Sequence, residues 1–409
     1  MGLNFRLAWR NIWRHPRRTG LTLAAIVFSD AILVWMIGLQ LGQYDMMIDN
    51  TLRSFIGHVQ IQAKGYQDKP QMYNTIPDAL QLASRIRENP NTPRVGVRAI
   101  GFALASSETR SYGAQIIGAQ PEYEADVSTI PGLIKQGNYL SSNHAEEAVI
   151  GSVMARNLKL NLGDELTFLG SGKDGSFAAA VLPVVGIFES GSADIDRFFI
   201  QIPLGTFQNI FSMGDDAHSI VIAGINHQQT PIIKSTAQSI VGGNEKLDVL
   251  DWERLQPGLR QAIQADFSTA WLMYGVLVVL VAFSVLNTFL MSVLERTREF
   301  GIMLALGLTP GKVGRIVMLE SVTMATLGLI LGMIAGSVLT YYFVIYGFSY
   351  PGMEEMAAKF NLPDRFFPKL NLVSITLGPM VIFVSTLIAA LWPAIRIHLL
   401  KPVEAMQTV

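Results

Sequence analysis

The chain has 409 residues, half of them hydrophobic and only 15% charged, with a mean hydropathy of +0.34. That balance points to membrane insertion and away from an ordinary water-soluble domain. The net charge of −1 averages unlike regions, and the absence of cysteine excludes a disulfide scaffold and any cysteine-based metal or redox centre.

Residues 1–18 come first. "LNFRLAWRNIWRH" sets Phe5, Ala8, Trp9, Ile12 and Trp13 at helical spacing, with Arg6, Arg10, Arg14 and Arg17 on other faces. A basic amphipathic helix with two tryptophans suits the headgroup region of a bilayer, and Pro16 closes it. A bilayer core of about 30 Å needs about 20 apolar helical residues. Four segments meet that length, 19–42, 268–294, 316–346 and 371–398. The first is longer than the apolar part of a cleaved signal and lacks a small-x-small site, so it reads as a retained anchor.

Residues 43–267 are patterned as a folded domain outside the membrane. "HVQIQA" (58–63) and "GAQIIGA" (113–119) alternate as strands, and "PDALQLASRIREN" (77–89) reads as an amphipathic helix. "EEAVIGSVMARNLKLNLGDELTFL" gives strand, helix, a turn at Gly163–Asp164 and another strand; "AAVLPVVGIFES" and "RFFIQIPL" continue the β-rich part. The expected fold is therefore an α-helical membrane protein with four transmembrane helices and a large α+β domain.

Charge sets the orientation. Residues 1–20 hold five arginines and no acid, the segment 295–315 carries Arg296, Arg298, Lys312 and Arg315, and Arg396 and Lys401 follow. The stretch 43–268 has 24 acids against 17 bases. Positive residues concentrate on the cytoplasmic side. Both termini, including the tail 399–409, and the 295–315 segment are thus expected inside, with the domain 43–267 and the loop 347–370 outside.

Catalytic motifs are missing. "GLTPGKVG" has only three residues between Gly307 and Gly311, and Val313 stands where a phosphate loop needs Ser or Thr for magnesium. "GSGKDGS" (170–176) lies between two strand-like runs, and its Gly, Ser and Asp are hairpin-turn residues. The six histidines make no metal-ligand spacing, the acid pairs Glu146–Glu147 and Asp215–Asp216 sit in polar turns, and no Gly-x-Ser-x-Gly elbow occurs. Basic runs confined to membrane borders call for no nucleic acid. Inside the spans, Asp30 is the odd residue, a costly charge that packs against a partner or serves transport. Asn287 and scattered Ser and Thr are the most polar interior residues elsewhere, and Gly328, Gly332 and Gly336 form a small-xxx-small row that permits close helix contact.

The segment "ERTREFGIMLALGLTPGKVGRI" (295–316) separates two spans. Its charged front continues a solvated helix, with Glu295 at neighbour spacing to Arg298 and Glu299. Phe300, Ile302, Met303, Leu304 and Leu306 then form an apolar stretch too short to span. Gly307 is placed to end the helix in a left-handed conformation, with Thr309 and Pro310 opening the next. Such an apolar patch at the membrane face invites a protein partner.

"LNTFLMSVLERTREFGIMLALGLTPGKVGRIVMLES" resembles the signature region of FtsX/MacB-type (type VII) ABC transporter permeases. "LAWRNIWRHPRRTGLTLAAI" and "LWPAIRIHLLKPVEAMQ" are similar to that family's two ends. "AVIGSVMARNLKLNLGDELTF" and "VVGIFESGSADIDRFFIQIPL" are most like its lipoprotein-release branch. The resemblance implies a bacterial inner-membrane permease with a periplasmic domain of a porter-like part and an inserted β-rich part. It implies a second permease chain, identical or different, and a separate cytoplasmic ATPase dimer that holds the ATP and magnesium. Glu295, Arg296, Arg298, Glu299, Phe300, Leu304 and Gly307 would belong to the coupling helix that docks on the ATPase. The substrate would be a lipid or lipoprotein. Efflux of toxic compounds with a periplasmic adaptor and regulation of a periplasmic partner are the competing readings. Asp30 and the long 347–370 loop depart from the family's pattern.

Overall fold

The computed structural model describes residues 3–14, 16–92, 94–353, 355, 357 and 363–396. The end "IHLLKPVEAMQ" and the tail 399–409 lie outside the described residues. The chain divides into two compact units, one of Met1–Tyr44, Ile263–Tyr350 and Arg365–Val409, the other of Asp45–Ala262 and Pro351–Asp364.

The first unit is helical. Its long helices run Pro16–Thr51, Pro257–Glu295, Pro310–Tyr346 and Leu372–Arg396, with shorter ones at Leu3–Ile12 and Thr297–Ala305. The four long helices each contain a stretch apolar and long enough to cross a membrane. At 1.5 Å per residue, the first three run well past the apolar windows legible in the sequence, adding turns beyond a bilayer's hydrocarbon thickness. Ile26, Leu33 and Ile37 of the first pack with Val281, Val285 and Phe289 of the second, Met324 of the third and Ile382 of the fourth. Leu272, Phe283, Val338 and Trp392 face outward, as apolar residues of membrane helices do. A polar chain stitches the first two helices: Tyr274 Oη donates to Gln40 (2.8 Å), Gln40 Nε2 to Tyr44 (2.7 Å) and Tyr44 Oη to Asp266 (2.6 Å).

The second unit is built on a ten-stranded mixed sheet. Its strands are β1 (Val59–Ala63), β2 (Arg94–Ser106), β3 (Ser111–Ala119), β4 (Ile134–Gly137), β5 (Ala148–Gly151), β6 (Glu165–Ser171), β7 (Phe177–Phe188), β8 (Phe199–Pro203), β9 (Ser219–Ala223) and β10 (Leu247–Asp251). Their order is β10-β1-β9-β2-β3-β8-β5-β7-β4, with β6 bonded to β2 and β7. The pairs β3–β8 and β5–β7 are parallel and the rest antiparallel. Strand β2 is long enough to serve both halves: Arg94–Arg98 pairs with β9 and Ala103–Ser106 with β6. The helix-bearing part, with helices Ala79–Arg87 and Thr230–Val241, therefore shares one sheet with the β-rich insertion. Val59, Ile61, Ile86, Val97, Ile116, Phe168, Phe207 and Ile220 fill a common core.

"GSGKDGS" closes the β6–β7 hairpin, with Gly172 N donating to Ser176 O (2.8 Å) and Lys173 paired to Asp216. Asp174 accepts from the Ser176 amide and hydroxyl, which holds its carboxyl below the usual range. These residues are occupied in turn chemistry. The buried Arg98–Glu124 pair (2.5 Å) anchors the centre of β2 to helix Pro121–Val127, and Arg98 also donates to the Phe55 carbonyl.

Candidate functional site

The second long helix ends at Glu295, and the backbone turns at Arg296 (φ −102°, ψ 10°) before the short helix Thr297–Ala305. Thr297 Oγ1 donates back to Val293 and Leu294, so the turn is held by its own hydroxyl. At the other end, Gly307 N bonds Leu304 O (3.0 Å) and Leu308 N bonds Met303 O (3.1 Å), a paired C-terminal cap. It requires the left-handed Gly307 (φ +92°). Pro310 is the first residue of the third helix, although the Thr309 side chain makes no capping bond. Gly-Leu-Thr-Pro-Gly is helix-end and helix-start chemistry.

The short helix has two faces. Phe300 (1% exposed) packs with Val293, Val313 and Val317, and Met303, Leu304 and Leu308 close over them. Arg298, Ile302, Ala305 and Leu306 point outward, Ile302 being 46% and Leu306 78% exposed. Lys312 and Arg315 are exposed on the next helix. The outward face thus carries exposed apolar residues at i, i+4 spacing with cations nearby.

Of the seven residues expected at this site, Glu295, Arg298 and Gly307 are exposed. Arg296 and Phe300 are buried, while Glu299 and Leu304 are half-buried. Arg296 Nη1 donates to both oxygens of Glu320 (3.1 and 3.0 Å), and its Nε to Glu299 (3.3 Å). Asn11 Nδ2 donates to Glu320 (2.7 Å), and Arg14 pairs with Glu299 (2.7 Å). Glu320, a buried acid in the third helix, and Asn11 were missed by sequence reasoning. The signal for Glu320 was present as a lone acid in an apolar window.

The other residues singled out come together elsewhere in the helical unit. Gly328, Gly332 and Gly336 lie against Ile26, Asp30 and Val34 in turn, one residue of the first helix per turn of the third. Asp30 is fully buried. Neither of its oxygens has a hydrogen-bond partner among the described residues.

Across the described residues, no group of three or more His, Cys, Asp or Glu side chains is placed to hold a metal ion. Among the described residues, four membrane-length helices, a mixed-sheet domain that falls between the first two in sequence and a short helix with an exposed apolar stripe between the second and third define a membrane protein with an extramembrane core domain. A family model described as MacB-like periplasmic core domain matches residues 19–253, and one described as FtsX-like permease C-terminal matches residues 271–400. The chain belongs to this FtsX-like, MacB-like family of ABC transporter permeases.

Its relatives are distant. It is 23% identical to the macrolide export ATP-binding/permease protein MacB of Campylobacter jejuni over 98% of this chain, and spans 61% of that relative's length. It is 24% identical to the lipoprotein-releasing system transmembrane protein LolC of Xylella fastidiosa over 75% of each chain. LolE of Haemophilus influenzae is 19% identical over 94% of this chain and 93% of its own. The solved periplasmic region of MacB from Actinobacillus actinomycetemcomitans covers 53% of this chain at 15% identity, with a TM-score of 0.38.

Proposed function

We propose that this chain is the membrane-spanning half of a bacterial inner-membrane transporter whose ATP and magnesium are bound by a partner ATPase dimer. The exposed stripe on Thr297–Ala305 carries the reading: Arg298, Ile302 and Leu306 leave an apolar, cation-flanked face uncovered on an otherwise anchored helix. That face, with Glu295, docks on the ATPase, while Phe300 and Leu304 seat the helix from within. The concentration of basic residues in the segments on this side supports a cytoplasmic position for it and a periplasmic one for the mixed-sheet domain. Two permease chains, identical or different, pair around the substrate. ATP-driven closure of the ATPase moves the long second helix, and the periplasmic domain changes conformation in response.

The substrate class we favour is lipophilic, with lipoprotein release from the inner membrane first. Alignment to LolE along nearly the whole of both chains supports it. Export of toxic small molecules with a periplasmic adaptor is the second reading, supported by the alignment to MacB over 98% of this chain. Purification from native membranes separates them. A co-purified ATPase with an acylated protein supports the first reading, and an ATPase with an adaptor and outer-membrane channel supports the second. Recovery without any ATPase would overturn both.

A further inference from the structure

Arg296 occupies the one non-helical position between the second long helix and the short helix, the point from which the short helix departs. It is only 7% exposed, as is Glu320. Around this pair four elements meet: the end of the second helix, the short helix through Glu299, the third helix through Glu320, and the N-terminal helix and its following turn through Asn11 and Arg14. The guanidinium also lies 5.1 Å from the Phe300 ring centroid, within cation–π range. Each member is bonded to at least one other, and the links alternate in charge: Arg14, Glu299, Arg296, Glu320 and the amide of Asn11. A planar guanidinium bonded on two edges fixes direction as well as distance, which an ammonium cannot do.

We propose that Arg296 is the positioning residue of the coupling machinery. Through Glu320 and Glu299 it locks the short helix, the third helix and the N-terminal helix into one body, so that a push on the Arg298–Ile302–Leu306 stripe is delivered to all three. The proposal rests on reading that stripe as the ATPase-docking face. It adds that the N-terminal helix is a driven part of the machine and not only a membrane anchor.

The chain's lack of cysteine makes the test direct. Spin labels are placed at Ala305→Cys on the short helix, off the Arg298–Ile302–Leu306 stripe, and Trp13→Cys after the N-terminal helix, both exposed positions. In the full chain, the label-to-label distance distribution is narrow and stays so when the partner ATPase is trapped with nucleotide. The paired variant Arg296→Met/Glu320→Leu leaves no uncompensated buried charge, so folding and membrane insertion are retained. It broadens the distribution, and the substrate moved per ATP hydrolysed falls roughly tenfold. Arg296→Lys recovers part of that ratio. A distribution as narrow in the paired variant as in the parent overturns the proposal, as does a parent distance that shifts on nucleotide trapping. The broadening is read on the chain alone, so an unbroadened paired variant defeats the Arg296 assignment by itself, whereas recovery of the chain without an ATPase defeats the docking reading on which the assignment rests.

Discussion

Gly332 lies directly against Asp30: a methyl group at Gly332 would stand 2.7 Å from the Asp30 carboxylate oxygen Oδ2. The glycine row on the third helix is therefore matched to a residue too polar for a lipid-facing site and too short of partners for an ordinary buried one. Gly332→Ala should destabilise the helical unit by about 1–3 kcal/mol through overpacking. Asp30→Gly in the same background should recover part of that loss, because the crowded atoms are gone. Thermal melting in detergent reads both. Strictly additive effects would show that the two residues do not press on one another.

Arg98 and Glu124 form a pair with essentially no solvent contact in the second unit. The guanidinium also sits 4.0 Å from the Phe55 ring centroid. Removing one partner leaves an uncompensated buried charge, so Glu124→Gln should cost about 3–5 kcal/mol, whereas Arg98→Met/Glu124→Leu should cost much less. Hydrogen exchange of the β2 amides around Arg98 under increasing denaturant compares the two. Equal losses would mean that shape rather than charge dominates the site.

The sequence made some of these features legible and hid others, for physical reasons. Long apolar runs announce four helices because no soluble core needs them, and Gly307 announces a helix end because few residues accept its backbone angle. The inward and outward faces of Thr297–Ala305 were not readable from five apolar residues in a row of seven. Only packing against Val293, Val313 and Val317 selects Phe300 for the interior and leaves Ile302 and Leu306 outside. Likewise Arg296 reads as one more solvated charge until Glu320 is brought to it from 24 positions away. The sheet was legible strand by strand, yet its order was not, since β3–β8 and β5–β7 pair parallel over long separations.

Two buried histidines make the second unit sensitive to acid. His218 accepts from the Ile100 amide (2.9 Å) and holds the Met72 carbonyl (3.2 Å), an arrangement for the neutral ring; His58 accepts from the Gly224 amide (3.0 Å). Burial pushes both down to about 4 from an ordinary value of 6.5. In the unfolded chain each takes up a proton below about 6.5, while in the folded chain it resists until about 4. Stability is therefore whole above pH 6.5 and is lost as pH falls toward 4, by up to about 3 kcal/mol per histidine. Hydrogen exchange of the β2 and β9 amides across that window should accelerate as pH falls, after correction for intrinsic rates. His218→Asn should flatten the dependence, and an unchanged slope would remove His218 from the account.

The outward stripe and the inward face of the short helix should respond differently to substitution. Leu306 is 78% exposed, so Leu306→Glu leaves the fold intact but places a charge in the middle of the proposed docking face. Binding of the partner ATPase should weaken at least about tenfold, the size expected for an apolar anchor at the centre of an interface. Leu304→Ala acts from the other side: it opens space beneath Phe300 and Val317, lowering thermal stability by about 2 kcal/mol or more before it touches binding. Affinity and melting temperature, measured on both variants, must therefore separate. If Leu306→Glu binds as the parent does while Leu304→Ala loses affinity without losing stability, the docking face lies on the side now turned inward, and the helix must rotate to present it.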